Sequence, residues 1–108
     1  MASPESCRGD LVTEKSDTYV LGSAIFYLLT SKKPYYNDID VNATEADVEK
    51  LIVSGVVPSL PETIESSQDP AIVTMRDVMR KAMEYDPETR PSAASLAQLL
   101  SGSLGLLT

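Results

Sequence analysis

The stretch Ser16–Pro34, SDTYVLGSAIFYLLTSKKP, decides how the rest of the chain is read. Ser16 or Asp17 can begin a helix, because a side-chain oxygen there accepts from first-turn N–H groups that have no partner within the helix. From Tyr19 to Leu29 the residues are apolar except for Gly22 and Ser23. At 3.6 residues per turn these side chains occupy the whole circumference, and a helix apolar on every side is placed in an interior. It is too short for a bilayer, which needs ~20 apolar residues. Lys32 and Lys33 suit the negative end of a helix, and Pro34 stops it. The stretch predicts a buried central helix of about four turns, ~20 Å long.

The chain has 108 residues, which makes one domain at most, able to bury roughly two thirds of its unfolded surface. An apolar content of 43% with 23% charged residues is that of a soluble globular protein. A net charge of −7 argues against nucleic acid or an anionic membrane surface, since both attract clustered Lys and Arg. No stretch predicts membrane insertion. The absence of His removes the commonest general base and the commonest metal ligand. A single cysteine, Cys7, excludes an intrachain disulfide and a thiolate zinc site, and fits a reducing, cytoplasmic setting. Met1–Asp10 is polar and lacks the apolar core of a signal peptide, so the sequon Asn42-Ala43-Thr44 is read as chance.

Outward from the central helix, Met1–Lys15 reads as loop or short turn, with only Leu11 and Val12 to bury. Tyr35–Ala43 reads as a polar loop. Thr44 followed by Asp47 resembles a capping box, and Val48, Leu51 and Ile52 then share one helix face up to a stop at Gly55. Val56–Gln68, with Pro58 and Pro61, reads as extended linker. Asp69-Pro70 is an N-cap with proline at the first helical position. Ile72, Met75, Met79, Ala82 and Met83 follow at helical spacing, a core stripe and not a ligand surface. Asp86-Pro87 ends that run. Ser92 starts a last helix through Leu96, Leu99 and Leu100 to Gly102, and Ser103–Thr108 is a tail without pattern. No alternating run marks a strand, so the local reading is all-α.

Four segments together are similar to one family. Ser3-Pro4-Glu5, Asp17–Gly22 (DTYVLG), Lys33-Pro34-Tyr35 and Asp86–Ser92 (DPETRPS) resemble, in order and spacing, the C-terminal part of a protein kinase C-lobe, Ser/Thr-directed or tyrosine-kinase-like. Ser3 stands where the family usually has Ala, and Val20 where Ser is common. The resemblance implies a fold of four main helices around a buried central one, spanning residues 1–102, with the chain starting where the activation segment ends. It also implies a structural set: Glu5 and Arg90 as a buried ion pair, Asp17 accepting from the catalytic loop of a complete domain, and Gly22 in the central helix. Bottom-up, an Arg offers a planar fork of donors matched to a carboxylate. Asp17 has a plainer reading as a helix-start acid.

The chemistry of a kinase needs a Gly-rich loop, a strand Lys, an H-R-D Asp and a D-F-G Asp for Mg²⁺. This sequence contains none of them. ATP and Mg²⁺ are therefore expected only for a complete domain, and no catalytic, cofactor-binding or metal residue is assigned here. A kinase fragment is one reading, a non-catalytic module docking a protein partner through Thr44–Ser54 a second. A third is calcium. Asp38, Asp40, Asn42 and Glu49 match positions 1, 3, 5 and 12 of an EF-hand loop. Ala43 stands where that loop turns on Gly, and Glu45 where an apolar residue is usual, so an acidic solvated loop is preferred. Tyr35 and Tyr36 are read as a cover over the end of the central helix, ahead of a stacking or phosphoacceptor role.

Overall fold

The computed structural model describes residues 3–36, 38–40 and 42–105. They form the helices α1 (Pro4–Cys7), α2 (Glu14–Thr30), α3 (Glu45–Val53), α4 (Glu62–Glu65), α5 (Pro70–Ala82) and α6 (Ala93–Gly105). No strand occurs among the described residues, and the fold is all-α.

α2 is the expected central helix, but it begins before Ser16. Thr13 is its N-cap, with Lys15 N–H donating to Thr13 Oγ1 at 3.2 Å. Ser16 supplies the reciprocal half, its Oγ accepting from Thr13 N–H at 3.4 Å. The 17 residues give a helix about 25 Å long. It ends at Ser31, which sits at φ 60° with its N–H on the Tyr27 carbonyl at 2.7 Å.

One side of α2 carries Tyr19, Ile25 and Phe26 into the core, and α5 crosses that side at Gly22. A Cβ on Gly22 would lie 2.4 Å from Met83 Cγ and 3.2 Å from the Met79 carbonyl oxygen, so the two helices meet backbone to backbone. The opposite side is open: Val20 is 44% exposed, Tyr27 55% and Leu28 70%. The expectation of a helix enclosed on all sides is therefore corrected. The described chain is a slab of 42 × 31 × 16 Å, and a slab so thin covers one face of its central helix.

α5 begins as expected, with Asp69 Oδ1 accepting from Ala71 N–H at 2.9 Å and Pro70 in the first turn. Met79, Ala82 and Met83 are buried, together with Val78, while Ile72 and Met75 are half-buried. α5 packs against α2 on one side and α6 on the other. In α6 Leu96 is fully buried and Leu100 half-buried, but Leu99 is 43% exposed, on the outer side. α6 runs three residues past Gly102, and residues 106–108 of the expected tail lie outside the described residues. α3 opens with Asp47 Oδ2 accepting from Thr44 N–H at 2.9 Å, and places Ile52 in the core.

Two segments read as irregular contain helix. Within 1–15, α1 is capped by Ser3 and started by Pro4, whereas Leu11 and Val12 are 85% and 55% exposed and not buried as expected. Within Val56–Gln68, Pro61 starts α4, whose last carbonyls, Ile64 and Glu65, accept from Arg76 Nη1 at 3.2 and 2.6 Å. A four-residue helix has no periodicity to read. It is made by what it docks on.

Candidate functional site

Glu5 lies in the first turn of α1, and Arg90 lies in the loop between α5 and α6. The structure brings them together across 85 positions of sequence: Arg90 Nη1 donates to Glu5 Oε2 at 2.8 Å, and Nη2 to Oε1 at 3.1 Å. The side chains are 0% and 2% exposed. Such a two-pronged contact fixes both orientation and distance.

The guanidinium has further acceptors, all backbone. Its Nε donates to the Glu84 carbonyl at 2.9 Å, Nη1 to the Lys15 carbonyl at 2.6 Å, and Nη2 to the Tyr85 carbonyl at 3.2 Å. All five N–H groups are therefore used, and the flat face of the group lies 5.1 Å from the Tyr19 ring centroid. Glu5 in turn accepts from the Ser16 hydroxyl at 2.7 Å. Lys15 Nζ donates to the Arg90 carbonyl. The site thus ties α1, the start of α2, and the end of α5 to the loop before α6.

Burial alone would push the Glu5 carboxyl up. The Arg90 hydrogen bonds, its own backbone N–H, the Ser16 hydroxyl and the Arg90 charge outweigh that and hold it at about 2. A carboxylate so held is ionised at neutral pH, with its oxygens turned to fixed donors. It has no proton to give and no access to a substrate, so its chemistry is that of a clasp and not of an acid or base.

The other residues of the expected set stand elsewhere. Asp17 is exposed in the first turn of α2, a helix-start acid. Gly22 is the crossing point of α2 on α5. Lys15, Ser16, Tyr19, Glu84 and Tyr85 join the pair and were missed from sequence. Three of them contribute backbone carbonyls or a ring face, which residue type does not announce. Arg80, expected on a solvated face, is exposed but bonded to the Glu65 carboxylate.

Tyr35 and Tyr36 cover the end of α2 as expected. Tyr36 meets Phe26 edge-on with centroids 6.2 Å apart. Tyr35 is buried, its hydroxyl 3.4 Å from that of Tyr19 and donating to the Val56 carbonyl at 2.6 Å. Burial pushes the Tyr35 phenol up, and that of Tyr19 far up. Tyr85 similarly donates to the Val53 carbonyl at 2.9 Å, under the guanidinium of Arg8. Two phenols thus hold the C-terminal end of α3.

The acidic loop is shaped otherwise than a calcium cradle. The Asp38 carboxylate accepts from Ser59 N–H at 3.0 Å and from the Ser59 hydroxyl at 2.6 Å, and α3 already begins at Glu45. Among the described residues no three acidic or cysteine side chains converge as metal ligands. Asn37 and Val41 of this loop lie outside them. Two open clefts remain. One, of about 540 Å³, lies beside Pro4, Tyr19, Val56 and Met83. The other, of about 440 Å³, lies between α2 and α3. No helix among the described residues is long and apolar enough to cross a membrane.

No family model matches the chain. Among curated proteins it is 35% identical over 66 residues to the serine/threonine-protein kinase PrkC of Bacillus subtilis, covering 59% of this chain and 10% of that protein. It is 30% identical over 95 residues to the probable serine/threonine-protein kinase PknB of Bifidobacterium longum, covering 86% and 12%. It is 31% identical over 108 residues to a protein kinase and PP2C-like domain-containing protein of Oryza sativa, covering 91% and 16%. The chain spans between a tenth and a sixth of the length of these relatives.

Proposed function

We propose, from the premise that this chain is homologous to Ser/Thr protein kinases over most of its length, as the C-terminal part of their C-lobe, that it is the helical base of such a domain and carries no phosphoryl-transfer chemistry itself. In a complete domain this segment stabilises the lobe and docks protein partners. ATP, Mg²⁺ and the hydroxyl-bearing substrate are handled by segments outside this sequence. The observation that supports this most is the buried Glu5–Arg90 clasp, which joins the first and last of the four segments that resemble a kinase.

Phosphoryl transfer is mostly positioning and charge stabilisation by phosphate- and metal-holding groups. The ionised, fully partnered Glu5 does not replace them. Titration calorimetry with ATP and Mg²⁺ should therefore give no saturable heat with this chain, and a micromolar nucleotide site would overturn the reading. The positive test is a chimera in which residues 3–100 replace the matching segment of the B. subtilis relative. A folded chimera that phosphorylates a protein substrate supports the assignment. A folded chimera that binds nucleotide yet transfers no phosphate counts against it.

A further inference from the structure

We propose that the groove between α2 and α3 is a docking site for an amphipathic helix of a partner protein that carries two basic residues one turn apart. The inference goes beyond the kinase reading and does not rest on it. The floor of the groove is a helical stripe: Val20, Ala24 and Tyr27 follow one another down the open side of α2, facing Val48 and Ile52 of α3. Val20 and Tyr27 are 44% and 55% exposed, so the stripe is presented and not filled. Apolar residues at that spacing between two helical walls receive a third helix better than an extended strand, whose side chains repeat every second residue.

The rim gives the charge. Glu45 and Glu49 stand one turn apart on the groove side of α3, both exposed. Neither takes part in an ion pair among the described residues. Lysines or arginines at i and i+4 of an incoming helix match that spacing. Lys33 also reaches the rim, and can meet an acidic residue of the partner, which sets the direction of the bound helix. The whole chain, at −7, draws a basic partner from a distance and speeds encounter at low salt.

The test uses the whole chain and a fluorescein-labelled helical peptide with a leucine stripe and two lysines one turn apart, beside a twin with glutamates at those two positions. Fluorescence anisotropy should show saturable binding of the lysine peptide that weakens with salt, and much weaker binding of the twin. The double variant Glu45→Lys with Glu49→Lys should lose roughly tenfold in affinity for the first peptide and gain for the twin. Both positions are exposed, and an unchanged circular dichroism spectrum confirms that the variant folds. Ala24→Glu, which places a charge on the floor, should abolish binding of either. Equal affinity for the two peptides, or binding of neither, would overturn the proposal while leaving the kinship untouched. So would self-association in sedimentation that Ala24→Glu removes, because the occupant would then be a second copy.

Discussion

Replacing Arg90 by alanine should be the most damaging single change in the chain, and the structure gives the size of the effect. The substitution leaves the Glu5 carboxylate buried with only Ser16 and backbone donors, and strips the Lys15, Glu84 and Tyr85 carbonyls of their side-chain donor. Breaking a buried pair from one side costs about 3–5 kcal/mol, against under about 1 kcal/mol for an exposed pair. A chain of 108 residues has about 5–15 kcal/mol in total, so the loss approaches the whole of it. Arg80→Ala, which removes only an exposed contact to Glu65, is the control. Urea unfolding followed by circular dichroism should separate the two variants by at least about 2 kcal/mol. Acid gives a second measure. The folded Glu5 carboxyl lies at about 2, below its ordinary 4.5, so its contribution is fully present above 4.5 and lost as pH falls from there towards 2. That shift corresponds to about 3 kcal/mol, and Glu5→Gln should flatten the acid limb. Equal midpoints for Arg90→Ala and Arg80→Ala would refute the reasoning.

Gly22→Ala should destabilise by about 1–3 kcal/mol in thermal unfolding, because Met83 can swing aside but the Met79 carbonyl and Ala82 cannot. Tyr35→Phe and Tyr85→Phe should each speed hydrogen exchange of amides in the last turn of α3, leaving the α2 and α5 amides protected. Micromolar calcium should leave the melting temperature unchanged, as Asp38 is bonded to Ser59; a calcium-dependent rise abolished by Glu49→Ala would reverse this. With one face of α2 open, the chain should melt below ~65 °C, and a sharp transition well above that would count against an uncovered core.

The long helices were legible because their signals are local. Asp69-Pro70, the Thr44–Asp47 box and the methionine stripe each need only neighbours within a turn or two. The start of α2 was misplaced because Ser16 has the right chemistry for a cap and is used instead as the partner of Thr13 and the donor to Glu5. α1 and α4 left no trace, being too short to show a period and held by distant side chains such as Arg76. The open face of α2 was partly legible: composition told that it is apolar, and only packing could tell which side stays uncovered. Glu5 and Arg90 could be paired on resemblance alone, since no local rule relates positions 85 apart.

That separation has a kinetic consequence. Closing a flexible loop of this length costs about 4 kcal/mol in chain entropy before the contact returns anything. The clasp therefore closes late, after α2, α5 and α6 have already brought its two halves near. Interactions absent from the folding transition state act on the way out: their loss changes the unfolding rate and spares the folding rate. Arg90→Ala should then refold nearly as fast as the parent but unfold about a hundredfold faster or more. The first turn of α1 acts as the latch on a door that has already swung shut, and it sets how long the folded chain lasts.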